Sequence, residues 1–491
     1  MRDERQVVVI GSGPAGAAAA RELSENGIPV TMLETGTAFP GGMLLRLGGK
    51  NLFRRAPPTG KEAAYSISSN PKTRYLVNYA PGGLSNNWTG AVPRFAPEDF
   101  TEGERLHERF RWPITYADLV PFYEKMEQSL HITADPRDVP QLPGGRVSYR
   151  RHIPADWHDV ERAANKYGQG FTAYPLADGP RNMLVNQGTA FNSYTGIVRP
   201  LMRLPNFQLQ TGAHALHLQW SAAKRRVDAV IYHNRLTGTT ERLEASAVVV
   251  ACGPLGSTKL LHNSVSNDFP HGMGNSAGIL GRFLHDHPRE WWSFEMDRPR
   301  RLLSPAAYLT RLPYASSAPL LATSWTLGTA SRADRIRSRF GLKGTAAGVQ
   351  ILGTMIPSES RFAIPSTTVK DEFGLAALDI CIHYSDAELE NVVRARQHLM
   401  NLLNDAGSHA TPGNIFPMIP GFSAHYGGTA RMHSKPQYGV VDAWNRIHDA
   451  PNVLVCDAAC FTTGTEKNPT LTVMAIAARA AAQLAHDLKR A

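Results

Sequence analysis

Two groups of residues in this chain have types and spacings that could do chemistry. The first is Gly11, Gly13 and Gly16 in "GSGPAG", with Glu34 at the end of "PVTMLE". An apolar β-branched run, Gln6 to Ile10, precedes the glycines and an alanine-rich stretch follows, so the pattern predicts strand, tight turn and helix. Gly11 permits the turn, Gly13 lets backbone amides approach a pyrophosphate, and Gly16 lets the helix lie close to the strand. The helix N-terminus favours negative charge there. An acid placed like Glu34 accepts hydrogen bonds from ribose hydroxyls and would repel a 2′-phosphate. The reading is a dinucleotide site that disfavours NADP and leaves NAD and FAD open. The second group is His425 in "HYGGTARM" and Asn468 in "NPTLTVM". An imidazole can take a proton near neutral pH. An amide is no base, but it can hydrogen-bond a hydroxyl and orient it. A lone histidine is more often structural, so this pair gains weight only if the fold brings both residues to the nucleotide.

The elements that would position them follow from pattern. Residues 37–90 show no long periodic element and end in "PGGLSNNWTGAVPRF". Gly82 and Gly83 there allow close backbone approach, Asn86, Asn87 and Thr89 are donors, and Trp88 is a flat apolar surface. The loop suits a ring-shaped cofactor, although an ordinary turn with a packed tryptophan has the same composition. Ile114 to Leu130 reads as a helix with Thr115 at its N-cap. "FQLQTGAHALHLQW", "RVDAVIYHN" and "ERLEASAVVVACG" are strand-like runs, and the last enters "GPLGSTKLLHNS", a second strand–glycine–helix junction. From about Trp291 to Ile419, the runs "WWSFEM", "LLATSWTL", "AAGVQIL" and "LAALDICIHY" predict an antiparallel sheet, with one amphipathic helix near Asp386 to Leu403. "NVLVCDAA" and the helix after Asn468 return to the earlier pattern. The expected class is α/β: a discontinuous Rossmann-like nucleotide-binding domain (1–145, 182–290 and 421–491) with an inserted α+β substrate domain on an antiparallel sheet (146–181 and 291–420).

Composition narrows the class. At 491 residues, 42% hydrophobic and 19% charged, the chain can form two or three domains with a sizeable core. Its four cysteines form no CxxC pair, which argues against zinc or a disulfide framework and for buried thiols in a reducing cytoplasm. The N-terminal stretch moves from charge straight into a strand, and no window approaches eighteen uninterrupted apolar residues, so a cytoplasmic protein without a membrane span is expected. The net charge of +10 sits in short scattered clusters, Lys224 to Arg226 and Arg298 to Arg301, with no nucleic-acid module beside them; solvated surface is the reading. His285 and His287 in "LHDHP" lack further clustered ligands, so a structural role is expected and no metal site. His433 is the second candidate for the base.

Taken in order along the chain, these motifs resemble the glucose–methanol–choline (GMC) oxidoreductases, FAD-dependent enzymes that oxidise alcohols. The resemblance rests on the glycine turn with Glu34, "GGLSNNWTGAVPRF", "VVVACGPLGSTKLLHNS", "GRFLHDHP", "HYGGTARM", "GVVDAWNRIHDAPNVLVCDAACF" and "NPTLTVMAIAARAA". It is strongest to the pyranose oxidase and glycoside 3-oxidase branch. It implies FAD as cofactor, with Gly83, Asn87, Trp88 and Thr89 beside the flavin. Where that branch often carries a histidine that bonds covalently to FAD, this chain has Asn87, so attachment should be non-covalent. The resemblance further implies that Asp457 and the amide of Thr470 help hold the flavin and that the backbone of Ala215 faces adenine. It places His425 and Asn468 at the reacting hydroxyl, with hydride passing to flavin nitrogen 5. The implied substrate is a small-molecule sugar, glycoside or polyol, and the electron acceptor oxygen or a quinone-type molecule. The alternatives are a redox-silent lyase of the same family, a dehydrogenase of a non-sugar natural-product alcohol, and a non-enzymatic binding protein that would have no use for the His425–Asn468 pair. Nothing in the sequence points to an oligomeric state.

Overall fold

The apolar run near the N-terminus is fully inside the protein: Val7, Val8 and Val9 are each 0% exposed. The strand Val7–Ile10 lies in the middle of a six-stranded sheet, covered on both faces, which is why its residues are apolar without alternation. The computed structural model describes residues 5–37, 66–67, 72–139, 141–186, 190–296, 307–309, 319–329, 346–407 and 410–490. Segments 38–65 and 68–71 of the irregular stretch, and the basic cluster Arg298 to Arg301, lie outside the described residues.

The order in this sheet is Arg446–Ile447, Ala450–Val455, Ala247–Val250, Val7–Ile10, Val30–Glu34 and Phe207–Thr211. Every pairing is parallel except that of the short edge strand Arg446–Ile447. Strands from both ends of the chain therefore lie side by side. The helix Pro14–Glu25 covers the sheet and packs on the helix Thr470–Arg490. Both are rich in buried alanines: Ala17 to Ala20 in one and Ala475, Ala477, Ala478 and Ala481 in the other have no exposed surface. Small side chains let the two backbones approach closely.

The second six-stranded sheet is antiparallel, in the order Ala410–Phe416, Arg289–Met296, Ala346–Gly353, Thr323–Thr329, Ala307–Leu309 and Phe171–Ala173. One face carries Trp292, Phe294, Trp325, Leu327, Val349 and Ile351 into a core with the helices His158–Lys166 and Asp386–Asp405. The second helix starts at a capping box in which Ser385 and Glu388 exchange hydrogen bonds. Residues of the alternate register, Ser324 among them, face the other way. The Ser324 hydroxyl donates to Glu466 O at 3.0 Å, so that face looks toward the segment just before Asn468.

Two apolar runs behave differently from their pattern. "FQLQTGAHALHLQW" is two strands: Gly212, at φ +72°, turns the chain out of the parallel sheet into a separate meander of Ala213–Ser221, Arg226–Asn234 and Thr239–Glu244. "LAALDICIHY" does not join the large antiparallel sheet. Its strand Ala376–Cys381 pairs with Phe362–Lys370 and with Ser66–Ile67. Apolar alternation identifies a strand without identifying its partner.

The glycine turn yields a paired expectation. A Cβ on Gly16 would lie 2.0 Å from Gly11 O, whereas a Cβ on Gly13 would meet no protein atom within 4 Å. Gly16→Ala should therefore lower the melting temperature, with an overpacking cost of about 1–3 kcal/mol. Gly13→Ala should leave the melting temperature of the ligand-free protein unchanged while weakening dinucleotide binding. Equal melting temperatures for the two variants would show that the helix can withdraw from the strand.

Candidate active site

The carboxyl ends of four neighbouring parallel strands converge on one edge, the usual ligand crevice of such a sheet. Gly11 ends Val7–Ile10 at φ +104°, where a Cβ would come within 2.4 Å of Ala251 O. Gly253 ends the neighbouring strand at φ +77° and, like Gly13, has open space where a Cβ would sit. Asp457 follows Ala450–Val455 and accepts from Ala459 N at 2.9 Å and from the Ser257 hydroxyl. Burial raises its carboxyl to about 6.

Glu34 is 5% exposed. It accepts from Ser12 N at 3.1 Å, from the Ser12 hydroxyl and from Gly36 N at 2.7 Å. A carboxylate has about four acceptor positions, so most of its capacity is spent on the turn itself. Glu34 is thus part of the cradle. Close by, Gly212 N donates to Gly36 O at 2.9 Å, and Thr35 Oγ1 is 2.9 Å from His214 Nδ1. This brings the start of the strand holding Ala215 next to Glu34.

The "PGGLSNNW" loop folds over the glycine turn. Gly82 N donates to the Ser12 hydroxyl at 2.9 Å, and a Cβ on Gly83 would sit 3.4 Å from Gly13 Cα. Trp88 Nε1 donates to Phe191 O at 2.6 Å, and Asn87 Oδ1 accepts from Asn78 Nδ2 at 2.5 Å. Thr89 is exposed. The loop is therefore held against the glycine turn through Gly82 and Gly83.

His425 and Asn468 meet. Asn468 Nδ2 lies 3.2 Å from His425 Nε2. An amide nitrogen only donates, so Nε2 presents its lone pair and the neutral ring carries its proton on Nδ1. That nitrogen is buried and has no hydrogen-bond partner among the described residues. Burial, with smaller contributions from His287 and Arg289, holds the imidazole well below its ordinary pKa and so in its unprotonated form.

The His425 main chain is fixed by the "LHDHP" segment. Asp286 accepts from His425 N at 2.9 Å and from Ser423 N at 3.0 Å. His285 N donates to Gly427 O at 3.1 Å, and Gly427 N returns a bond to His285 O at 3.0 Å. The His285 ring lies against Gly427, Gly428 and Gly464, where Cβ atoms would come within 2.6 to 2.8 Å of it. This accounts for the glycine pair in "HYGG". The His287 ring stands edge-on to His425, with centroids 4.9 Å apart. His433 is elsewhere: Nε2 faces Glu108 O at 3.1 Å and Nδ1 accepts from Lys435 N at 2.9 Å, so both nitrogens are engaged by main chain.

Three contributors were not singled out from sequence. In the sequence, Asp286 stands only as a neighbour of two histidines. Lys467, the residue before Asn468 and 1% exposed, is held in place by donating to Asp99 Oδ2 and Glu466 Oε1, each at 2.8 Å. Tyr174 donates to Asn468 Oδ1 at 2.5 Å from a part of the chain with no motif.

The chain is similar to known proteins over nearly its whole length. Residues 6–285 match a family model described as FAD binding domain, and residues 358–477 one described as GMC oxidoreductase. The 6'''-hydroxyparomomycin C oxidase of Streptomyces lividus is 29% identical over 98% of this chain and 91% of its own. The paromamine 6'-oxidase of Streptomyces fradiae is 28% identical with the same coverage. A C-glycoside 3-oxidase of Microbacterium trichothecenolyticum is 26% identical over 98% of this chain and 96% of its own. The crystal structure of pyridoxine 4-oxidase from Mesorbium loti superposes with a TM-score of 0.68 at 17% identity, covering 98% of this chain and 99% of its own, and shares the fold.

The buried imidazoles set a pH dependence of stability. Burial lowers His214 and His285 to about 3, His262 and His287 to about 4, and His425 as well. An unfolded histidine protonates near ~6.5. The stability from keeping these rings neutral is complete above that value and is lost as pH falls toward their folded values. Asp286 and Asp457 act oppositely: raised by burial to about 7 and about 6, they take up protons first in the folded state and offset part of the loss. Burial raises Glu34 and Glu290 too, but five imidazoles still outnumber four carboxyls, so the melting temperature of the ligand-free protein should fall as pH is lowered from 7 to 5. A flat or rising melting temperature over that range would mean that the rings are solvated.

Proposed function

The chain belongs to the GMC oxidoreductases, FAD-dependent enzymes acting on CH–OH donors, and on that premise we propose that it oxidises a primary or secondary hydroxyl of a sugar, glycoside or related polyol to a carbonyl, with His425 as the base. The observation that carries this reading is the 3.2 Å contact between Asn468 Nδ2 and His425 Nε2, which presents a basic nitrogen and a donor at one point. The substrate class is supported by the relatives, which are named as oxidases of 6'''-hydroxyparomomycin C, of paromamine and of C-glycosides.

The residues present suit FAD. Open space stands over Gly13 and Gly253, and the Gly83 backbone closes on Gly13 from the other side. Gly11, Gly13, Gly16 and Glu34 would hold the pyrophosphate and ribose, and the backbone of Ala215 the adenine. Gly83, Asn87, Trp88, Thr89, Asp457 and the Thr470 amide would border the flavin. Bound FAD supplies the hydride acceptor, flavin nitrogen 5. His425 Nε2 takes the hydroxyl proton. Asn468 Nδ2 hydrogen-bonds the same oxygen and aims the carbon-bound hydrogen. The N-terminus of Thr470–Arg490 favours negative charge beside Asn468. In the proposed division, 1–145, 182–290 and 421–491 bind FAD, while 146–181 and 291–420 bind substrate. Among the described residues, no helix is long and apolar enough to cross a membrane, and a cytoplasmic location with oxygen or a quinone-type acceptor completes the proposal.

Stopped-flow reduction without oxygen, across sugars, glycosides and aminosugars, tests the reading. His425→Ala should retain FAD and bleach roughly a hundred- to ten-thousand-fold more slowly, the range of a lost general base. Raising the pH should partly restore it by ionising the alcohol. Asn468→Ala should slow bleaching by less, and the two losses should not add, because both residues act on one hydroxyl. A His425→Ala enzyme as fast as wild type sinks the base assignment. Carbonyl formation without bleaching would instead indicate a lyase.

Attachment can be checked separately. Asn87 offers no imidazole, so acid precipitation should leave yellow flavin in the supernatant. Colour carried down with the chain would refute non-covalent binding.

A further inference from the structure

We propose that Tyr174 is a positioning residue that determines which nitrogen of His425 is free to take a proton, acting through the side-chain amide of Asn468. Its effect on rate rests on the oxidation proposed above; its effect on the ring does not.

Tyr174 follows the strand Phe171–Ala173 of the antiparallel sheet and is 3% exposed, packed with Ala91, Leu142 and Leu176. Burial pushes ionisation of the phenol far upward, so its O–H is present as a donor throughout the working range. That O–H donates to Asn468 Oδ1 at 2.5 Å. The two ends of an amide differ: Oδ1 can only accept and Nδ2 can only donate. With Oδ1 turned to Tyr174, Nδ2 is turned to His425 Nε2 at 3.2 Å. Nε2 must then offer its lone pair, and the neutral ring must carry its proton on Nδ1.

The opposite edge of the ring does not enforce this choice. Nδ1 is buried and has no hydrogen-bond partner among the described residues, whereas a histidine whose tautomer is fixed from behind donates from its remote nitrogen to a carbonyl or carboxylate. Asp286, the acid that packs beside the His425 main chain, is engaged with the N–H of that main chain. The bias therefore comes from the Asn468 side. If the amide turned over, Oδ1 would face Nε2 and favour the tautomer with a proton there, which cannot accept another. Tyr174 opposes that turn because its O–H bonds to the carbonyl end. No proton is transferred along this chain of contacts; it selects an orientation.

The test uses the FAD-loaded protein with 15N-labelled histidine. The ring resonances that disappear in His425→Ala should identify a ring protonated on Nδ1. Tyr174→Phe should move that ring toward the Nε2-protonated form. Asn468→Ala, which keeps the phenol and removes the relay, should move it too. In anaerobic reduction, Tyr174→Phe should slow bleaching roughly tenfold, the scale of one lost hydrogen bond, with little change in KM. Added to Asn468→Ala, it should slow bleaching no further. An unchanged tautomer in either single variant overturns the proposal, as does an equal extra slowing in the double variant. If no alcohol bleaches the wild type, the oxidation reading fails, and the tautomer measurement still decides the role of Tyr174.

Discussion

The Asp286 carboxylate spans two main-chain N–H groups of another segment, those of Ser423 and His425, and the placement of the proposed base depends on this clamp. Beside it, His285 and Gly427 exchange backbone hydrogen bonds, and the His285 ring occupies the space that side chains at Gly427, Gly428 and Gly464 would need. A buried N–H left without an acceptor costs about 1–3 kcal/mol, so each lost contact would be felt. His425 therefore sits on a main chain held from outside its own segment, and the glycines of its motif serve the clamp.

Asn468 is fixed in a related way. Lys467 lies between Asp99 and Glu466 with all three side chains at 0% exposure. Removing one member of such a buried ion group typically costs about 3–5 kcal/mol, because it leaves a charge uncompensated. The two proposed catalytic residues are thus anchored by separate polar clusters and meet at the Asn468–His425 contact. Burial of His425 has two opposed effects. It keeps the ring neutral and able to accept a proton, and it weakens the ring as a base, with His287 and Arg289 adding to that weakening.

The glycine turn and its strand and helix were legible because every part is local: apolar run, spacing and alanine-rich helix occupy a single stretch. His425 and Asn468 were legible through the order of the motifs, since nothing in either stretch says that they touch. Tyr174 left no trace. Its partner is far along the chain, and a tyrosine after a three-residue strand looks like any core residue. Asp286 stood in a quoted motif but was overshadowed by the histidines on either side. The break at Gly212 was hidden for another reason: alternation continues across it, while the left-handed backbone that sends the chain into a different sheet is a property of the fold.

The parallel sheet takes strands from Val7 to Val455, and its covering helix Pro14–Glu25 rests on Thr470–Arg490. During synthesis, the first strands leave the ribosome long before their neighbours exist. At a synthesis rate of about 5–20 residues per second, an alanine face waits tens of seconds for its partner helix. Such long-range pairing folds slowly and leaves apolar surface open meanwhile. The nascent chain is therefore a natural client for holding chaperones, and a ribosome that stalls before the last helix releases a product with no completed nucleotide crevice.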